Sequence, residues 1–183
     1  MYRIGLLADT HIPHRLAALP PALFERLAGV DLILHAGDLV DPAILDDLEQ
    51  IAPTLAVRGN LHLQSPWPND QHLPRALDLG IQGRRIVVSH GHLSNWNTIW
   101  EKLWLLLPNH HGRANRRLPR RLARAFPGAD VYVFGHSHRA LVARQNGALF
   151  VNPGAVCPTH GEAASVARLT VTPESIEAEI LPL

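Results

Sequence analysis

Short apolar runs alternate with polar, glycine-containing corners along most of the chain. Ile4–Ala8, Leu32–Ala36, Leu55–Val57, Ile86–Val88 and Val131–Phe134 are brief, continuous and partly β-branched or aromatic. Such runs, closed by polar residues and glycine, predict strands buried on both faces. Between the early runs lie segments with helical spacing. Pro20–Ala28 places Leu23, Phe24 and Leu27 on one face. Pro42–Gln50 follows Asp41, an N-cap residue with proline at the first helical position. This β-α-β-α-β order predicts a layered α/β domain.

The pattern changes towards the C-terminus. Leu141–Arg144, Ala148–Val151, Ser165–Val171 and Ser175–Leu181 read as strands with no helix between them. Gln145-Asn146-Gly147 is a hairpin signal, and Pro173-Glu174 turns the last pair. The expectation is two sheets packed face to face with helices outside, in one domain spanning residues 1–183. Residues 95–126 read as a helical insertion. Trp96, Trp100 and Trp104 recur every four residues, as core or dimer-interface packing would require, which leaves a homo-oligomer open. Pro108 and His110-His111-Gly112 then suggest a loop, with a second short helix from about Asn115 or Pro119 to Phe126.

Composition adds limits. With 46% hydrophobic and 18% charged residues, the 183-residue chain reads as globular. A net charge of +1 gives no bulk argument for nucleic acid or a membrane surface. Arg3 to Ala8 enters an apolar strand at once, without the parts of a signal peptide, so a cytoplasmic protein is expected. The single cysteine, Cys157, allows neither an internal disulfide nor a cysteine-based zinc site. Arg113, Arg116, Arg117, Arg120, Arg121 and Arg124 recur at helical spacings. They make either a solvated helix face or a stripe that attracts phosphate-rich partners.

The chemistry concentrates where the apolar runs end. The five runs are followed by Asp9-Thr10-His11, Gly37-Asp38, Gly59-Asn60, His90-Gly91-His92 and His136-Ser137-His138. Ligands of open α/β sheets bind beyond the C-terminal strand ends, so strands sharing a sheet would bring these residues to one edge. Carboxylates and imidazoles together suit borderline divalent ions such as Mn²⁺, Fe²⁺, Ni²⁺ or Zn²⁺. Asp9, His11, Asp38, Asn60, His90, His136 and His138 suit two ions better than one. His35, inside a strand, reads as a packed, hydrogen-bonded histidine, not a ligand.

The ordered series DTH, GD, GN, HGH and GHSH, followed by Asn152-Pro153-Gly154, resembles the calcineurin-like metallophosphoesterase superfamily. It is similar to the small single-domain branch of bacterial and archaeal phosphodiesterases, which also contains the retromer-subunit scaffold. The resemblance covers the chain to about Gly154 by motif. It implies a four-layer α-β-β-α sandwich. It also implies one ion held by Asp9, His11, Asp38 and His138, and a second by Asp38, Asn60, His90 and His136, with Asp38 bridging. Hydroxide held between the ions would attack phosphorus in line, with Asn60 and His92 beside the phosphate. The implied substrates are small or nucleotide-like phosphate esters, diesters first, with Mn²⁺ the first choice of ion. A phosphomonoesterase, a nuclease-like enzyme and a non-catalytic scaffold are the alternatives. Two positions depart from the pattern. Leu61 stands where many members have a proton-donating histidine, which leaves His62, His92 or a water for that task. Ala155 stands where serine often closes the Asn-Pro-Gly turn.

Overall fold

A computed structural model of the protein describes residues 1–59, 73–91, 110–159 and 161–183. Ten strands and three helices are seen among them. The first sheet holds β1 (Tyr2–Leu7), β2 (Leu32–His35), β3 (Thr54–Ala56), β9 (Ser165–Val171) and β10 (Ile176–Pro182), in the order β10-β9-β1-β2-β3. The second holds β4 (Ala76–Ile81), β5 (Arg84–Ser89), β6 (Val131–Phe134), β7 (Leu141–Gln145) and β8 (Ala148–Asn152), in the order β4-β5-β6-β8-β7. Both are mixed. β1, β2 and β3 run parallel in one, and β5, β6 and β8 in the other, with antiparallel strands at the margins.

Three apolar clusters define four layers. Ile4, Leu6 and Leu34 of the first sheet meet Ile86, Val88, Val133 and Val151 of the second, so the sheets face each other across the main core. On the outer face of the first sheet, Leu7, Ile33 and Val166 pack with α1 (Pro21–Leu27) and α2 (Ala43–Glu49) through Leu23, Leu27, Ile44 and Leu48. On the outer face of the second, Val87, Tyr132, Phe134 and Phe150 take Leu118 and Leu122 of α3 (His110–Ala125). β1, β2, β5 and β6 are covered on both sides, which explains their unbroken apolar runs. The Asp41 carboxylate accepts from the Ala43 amide at 2.9 Å at the start of α2, whose N-cap position is Pro42 and not Asp41 as its sequence suggests.

Two features depart from the sequence reading. β4 is an additional strand, joined to β5 by a tight turn whose Gln82 and Gly83 have φ of 53° and 74°. The expected loop at His110-His111-Gly112 and the helix restart at Pro119 are instead one helix, with Pro119 inside it. Proline there gives no amide to the carbonyl of Asn115 one turn earlier, a defect that costs about 3 kcal/mol in a free helix. Packing of Leu118 and Leu122 against the second sheet offsets it. Trp96, Trp100 and Trp104 lie outside the described residues. No described helix is long and apolar enough to cross a membrane.

Candidate metal centre

The corner residues converge, but across two sheets, not along one sheet edge. Asp9 and His11 follow β1, and Asp38 follows β2. His90 follows β5, and His136 and His138 follow β6. The Asp9 Oδ1 lies 3.3 Å from His138 Nε2, 3.8 Å from His11 Nε2 and 4.0 Å from His90 Nε2. The Asp38 Oδ2 lies 3.5 Å from His90 Nε2 and 4.0 Å from His11 Nε2. Two ligand groups result, Asp9–His11–His138 and Asp9–Asp38–His90. Asp9 is common to both, whereas the family resemblance gives the shared place to Asp38; both carboxylates face imidazoles of both groups. His136 stands edge-on to His90, with ring centres 5.3 Å apart. Asn60, His62 and His92 lie outside the described residues.

The backbone is bent to bring these side chains together. Asp9, His11, Asp38, His136 and His138 all have φ between 50° and 72°. Few residues other than glycine adopt that region, and strain of this kind gathers at functional sites. Hydrogen bonds between loops hold the arrangement. Asp9 N–H donates to Gly37 O, His11 N–H to Asp38 O and Cys157 N–H to Asp9 O, at 3.0–3.2 Å. The His136 amide donates to Asp9 Oδ2 at 3.0 Å, which turns Oδ1 towards the imidazoles. Gly59 is needed for close approach: a Cβ there would stand 1.8 Å from Asp38 Oδ1 and 2.3 Å from Asp38 N.

A divalent cation fits this donor set. Asp9, His11, Asp38, His90 and His138 are buried, and no thiol, lysine or arginine belongs to either ligand group. Among the described residues, Asp9 Oδ1 has no hydrogen-bond partner although it is buried. His11 and His138 aim their Nε2 atoms at each other, 3.2 Å apart. A buried carboxylate is costly unless cations or hydrogen bonds compensate it. Here imidazoles supply part of that compensation. Burial alone would raise the Asp9 and Asp38 pKa values. Facing imidazoles, His138 and His90 for Asp9 and His90, His11 and His136 for Asp38, reverse this and hold both carboxyls ionised. Burial would likewise lower His90, but Asp38, then Asp9 and the Ala36 carbonyl, hold it up at about 9. His11 goes the other way, to about 4, because burial outweighs the two carboxylates.

Supporting contacts orient the rings. His90 Nδ1 donates to the Ala36 carbonyl at 2.8 Å, which leaves Nε2 to face the carboxylates. His138 Nδ1 meets the Thr159 hydroxyl at 3.1 Å. Partners of this kind fix imidazole orientation around metals. His35 is packed and hydrogen-bonded, as expected. Its Nδ1 accepts from Gly37 N–H at 3.1 Å, and its Nε2 meets the Thr10 hydroxyl at 3.3 Å. Asn152 closes the turn beneath the second loop: Oδ1 accepts from Gly154 N–H, and Nδ2 donates to Gly135 O and Ser137 Oγ. The buried Cys157 thiol is pushed up by burial, which disfavours the thiolate a nucleophile would need. Thr159 and Asn115 support the site without any motif signal, and Ser137 does so from inside the Gly-His-Ser-His motif. On α3, Arg117, Arg120 and Arg124 are exposed, opposite the buried Leu118 and Leu122.

Comparison with known proteins agrees with this geometry. Residues 2–174 match the profile of the calcineurin-like phosphoesterase superfamily domain. A probable metallophosphoesterase of Methanothermobacter thermautotrophicus is 32% identical over 182 residues, covering 97% of this chain and 91% of that protein. Another from Methanocaldococcus jannaschii is 32% identical over 180 residues, covering 98% and 81%. Among solved structures, Vps29 of Chaetomium thermophilum superposes with a TM-score of 0.71 at 20% identity, over 100% of this chain and 95% of that one. A structure described as a novel archaeal phosphodiesterase superposes at 0.65 and 19% identity, over 98% and 99%. At such identity these two speak for the fold alone. The profile match over nearly the whole length, with the two full-length relatives, makes this chain a member of the calcineurin-like phosphoesterase superfamily.

Proposed function

We propose that the protein is a dimetal phosphodiesterase acting on small or nucleotide-like phosphate esters. The observation that carries the reading is the pair of buried carboxylates, Asp9 and Asp38, ringed by imidazole nitrogens, with Asp9 Oδ1 left without a hydrogen bond among the described residues. Buried charge of this kind contributes little to stability, which favours a catalytic use over a non-catalytic scaffold. Asp9, His11, Asp38 and His138 would hold one ion and Asp38, Asn60, His90 and His136 the other, and two such ions would polarise a phosphoryl oxygen and supply a nucleophile at neutral pH. The chain's own part is placement. The His136 amide and the Ala36 carbonyl aim Asp9 and His90. Asn60 and His92 steady the phosphate. With Leu61 in place of a histidine, proton delivery to the leaving oxygen falls to His62, His92 or water. The preference for diesters follows the branch that the motif series resembles.

Mn²⁺ is the first choice of ion, because histidine-rich sites suit borderline cations better than Mg²⁺. The test is chelator-stripped protein, reloaded with Mn²⁺ and assayed on matched phosphate mono- and diesters. Faster turnover of diesters supports the reading; monoesters alone, or neither, overturn it. The exposed arginines of α3 favour a second reading, a polyanionic, nuclease-like substrate. In that case, replacing Arg117, Arg120 and Arg124 together raises KM for oligonucleotides, most at low salt.

A further inference from the structure

The loop carrying His136 and His138 is tied to α3 by one side chain. Asn115 Nδ2 donates to the Arg139 carbonyl at 3.0 Å, directly after His138. Its Oδ1 accepts from the Ser137 hydroxyl, between the two histidines. Ser137 is buried and its hydroxyl is saturated. It donates to Asn115 and accepts from Asn152 Nδ2 at 2.9 Å and from Arg139 N–H at 3.4 Å. Every partner has a fixed sense, because Asn152 Oδ1 is already engaged by Gly154 N–H. Three residues later on α3, Leu118 packs beside Gly91, next to His90, so closely that a Cβ on Gly91 would stand 2.8 Å from Leu118 Cδ2. The helix therefore rests on both histidine loops of the second sheet.

We infer that Asn115 is a positioning residue for the metal centre, holding the His136-Ser137-His138 loop, in its left-handed backbone conformation, at the place from which both imidazoles reach the carboxylates. The inference rests on the dimetal reading above. It makes α3 part of the site's support and not a surface addition. Without Asn115, the Ser137 hydroxyl loses its acceptor and the Arg139 carbonyl its donor, and the bent loop is free to relax. Partners of this kind around metal ligands typically contribute about 10–100-fold in metal affinity.

The test is calorimetric titration of Mn²⁺ into chelator-stripped protein, with the visible spectrum of the Co²⁺-loaded form as a reporter of ligand geometry. Asn115→Ala is expected to bind Mn²⁺ about 10–100-fold more weakly and to shift the Co²⁺ bands. Asn115→Asp keeps the acceptor for Ser137 but sets a carboxylate oxygen against the Arg139 carbonyl in place of the donated bond, so it too is expected to bind Mn²⁺ more weakly; it also serves if the alanine variant does not fold. Ile176→Ala, a buried position on the edge strand β10, away from α3 and the metal loops, is the control for plain destabilisation. It should lower the melting temperature and leave affinity and spectrum unchanged. Wild-type affinity in both Asn115 variants, or an equal loss in Ile176→Ala, overturns the inference. Absence of Mn²⁺ binding by the wild type overturns the dimetal reading itself, and the inference with it.

Discussion

His35 should make the metal-free protein lose stability in mild acid, by an amount that one substitution isolates. The ring is fully buried, and its Nδ1 must stay unprotonated to accept from Gly37 N–H. Burial pulls its pKa from 6.5 to about 4; Asp9 and Asp38 oppose this, and His90 and His11 add to it. The folded state thus prefers the neutral ring, while the unfolded chain takes up a proton near 6.5. Stability from this group is complete above pH 6.5, falls with pH between 6.5 and 4, and levels off below. The drop is about 1.4 kcal/mol per pH unit, or about 3 kcal/mol across the window. His35→Gln has no proton to take up. Urea unfolding of both proteins at pH 7, 6, 5 and 4, with chelator present, gives their stability difference at each pH. Carboxylates that do not face residue 35 cancel in that difference. The wild-type advantage is expected to shrink by about 3 kcal/mol between pH 7 and pH 4. A difference constant across the range would refute the reasoning and mean that the ring is protonated, or hydrated, in the folded state.

Three further outcomes follow from the site. Asp38→Asn, which removes charge but little volume, should abolish hydrolysis and weaken binding of both ions; near-normal activity would sink the shared role of Asp38. Gly59→Ala should cut kcat/KM by about 10²-fold, because the new Cβ must push the Asp38 carboxylate aside, and an unchanged rate would show that the loop gives way at no cost. With leucine at position 61, kcat should depend steeply on leaving-group pKa, and Leu61→His should flatten that dependence if histidine supplies the usual ~10²–10⁴-fold help; a flat series in the wild type would point to His62 or His92 as the acid.

The parts of the fold legible in the sequence are those buried on both sides. β1, β2, β5 and β6 read as apolar runs because each lies between the central core and a helix layer. Their polar corners read as candidate ligands for the same reason: the chain leaves the core there. β4 escaped because it is an edge strand, where Leu77, Leu79 and Ile81 are only partly buried beside small and polar neighbours. The extent of α3 escaped because Pro119 and Gly112 argue locally against a helix, and tertiary packing overrode them. The left-handed backbone at Asp9, His11, Asp38, His136 and His138 is signalled only weakly by residue type, because Asp and His are enriched in that region yet adopt it in few of their occurrences. Asn115 and Thr159 were invisible because they reach the loop from 24 and 21 residues away, by folding and not by spacing.

The central claim, two divalent ions in a cage of carboxylates and imidazoles, is tested most directly by counting them. Chelator-stripped protein is equilibrated with Mn²⁺, and bound ions per chain are measured for the wild type, Asp9→Ala and Asp38→Ala, with hydrolysis of a phosphate diester followed at each loading. The account predicts two ions per wild-type chain, activity rising with the second, poor replacement by Mg²⁺, and weakened binding at both sites in Asp38→Ala and at one site in Asp9→Ala. Diester hydrolysis at full rate by metal-free protein, or a wild-type chain that binds no ion, would contradict it.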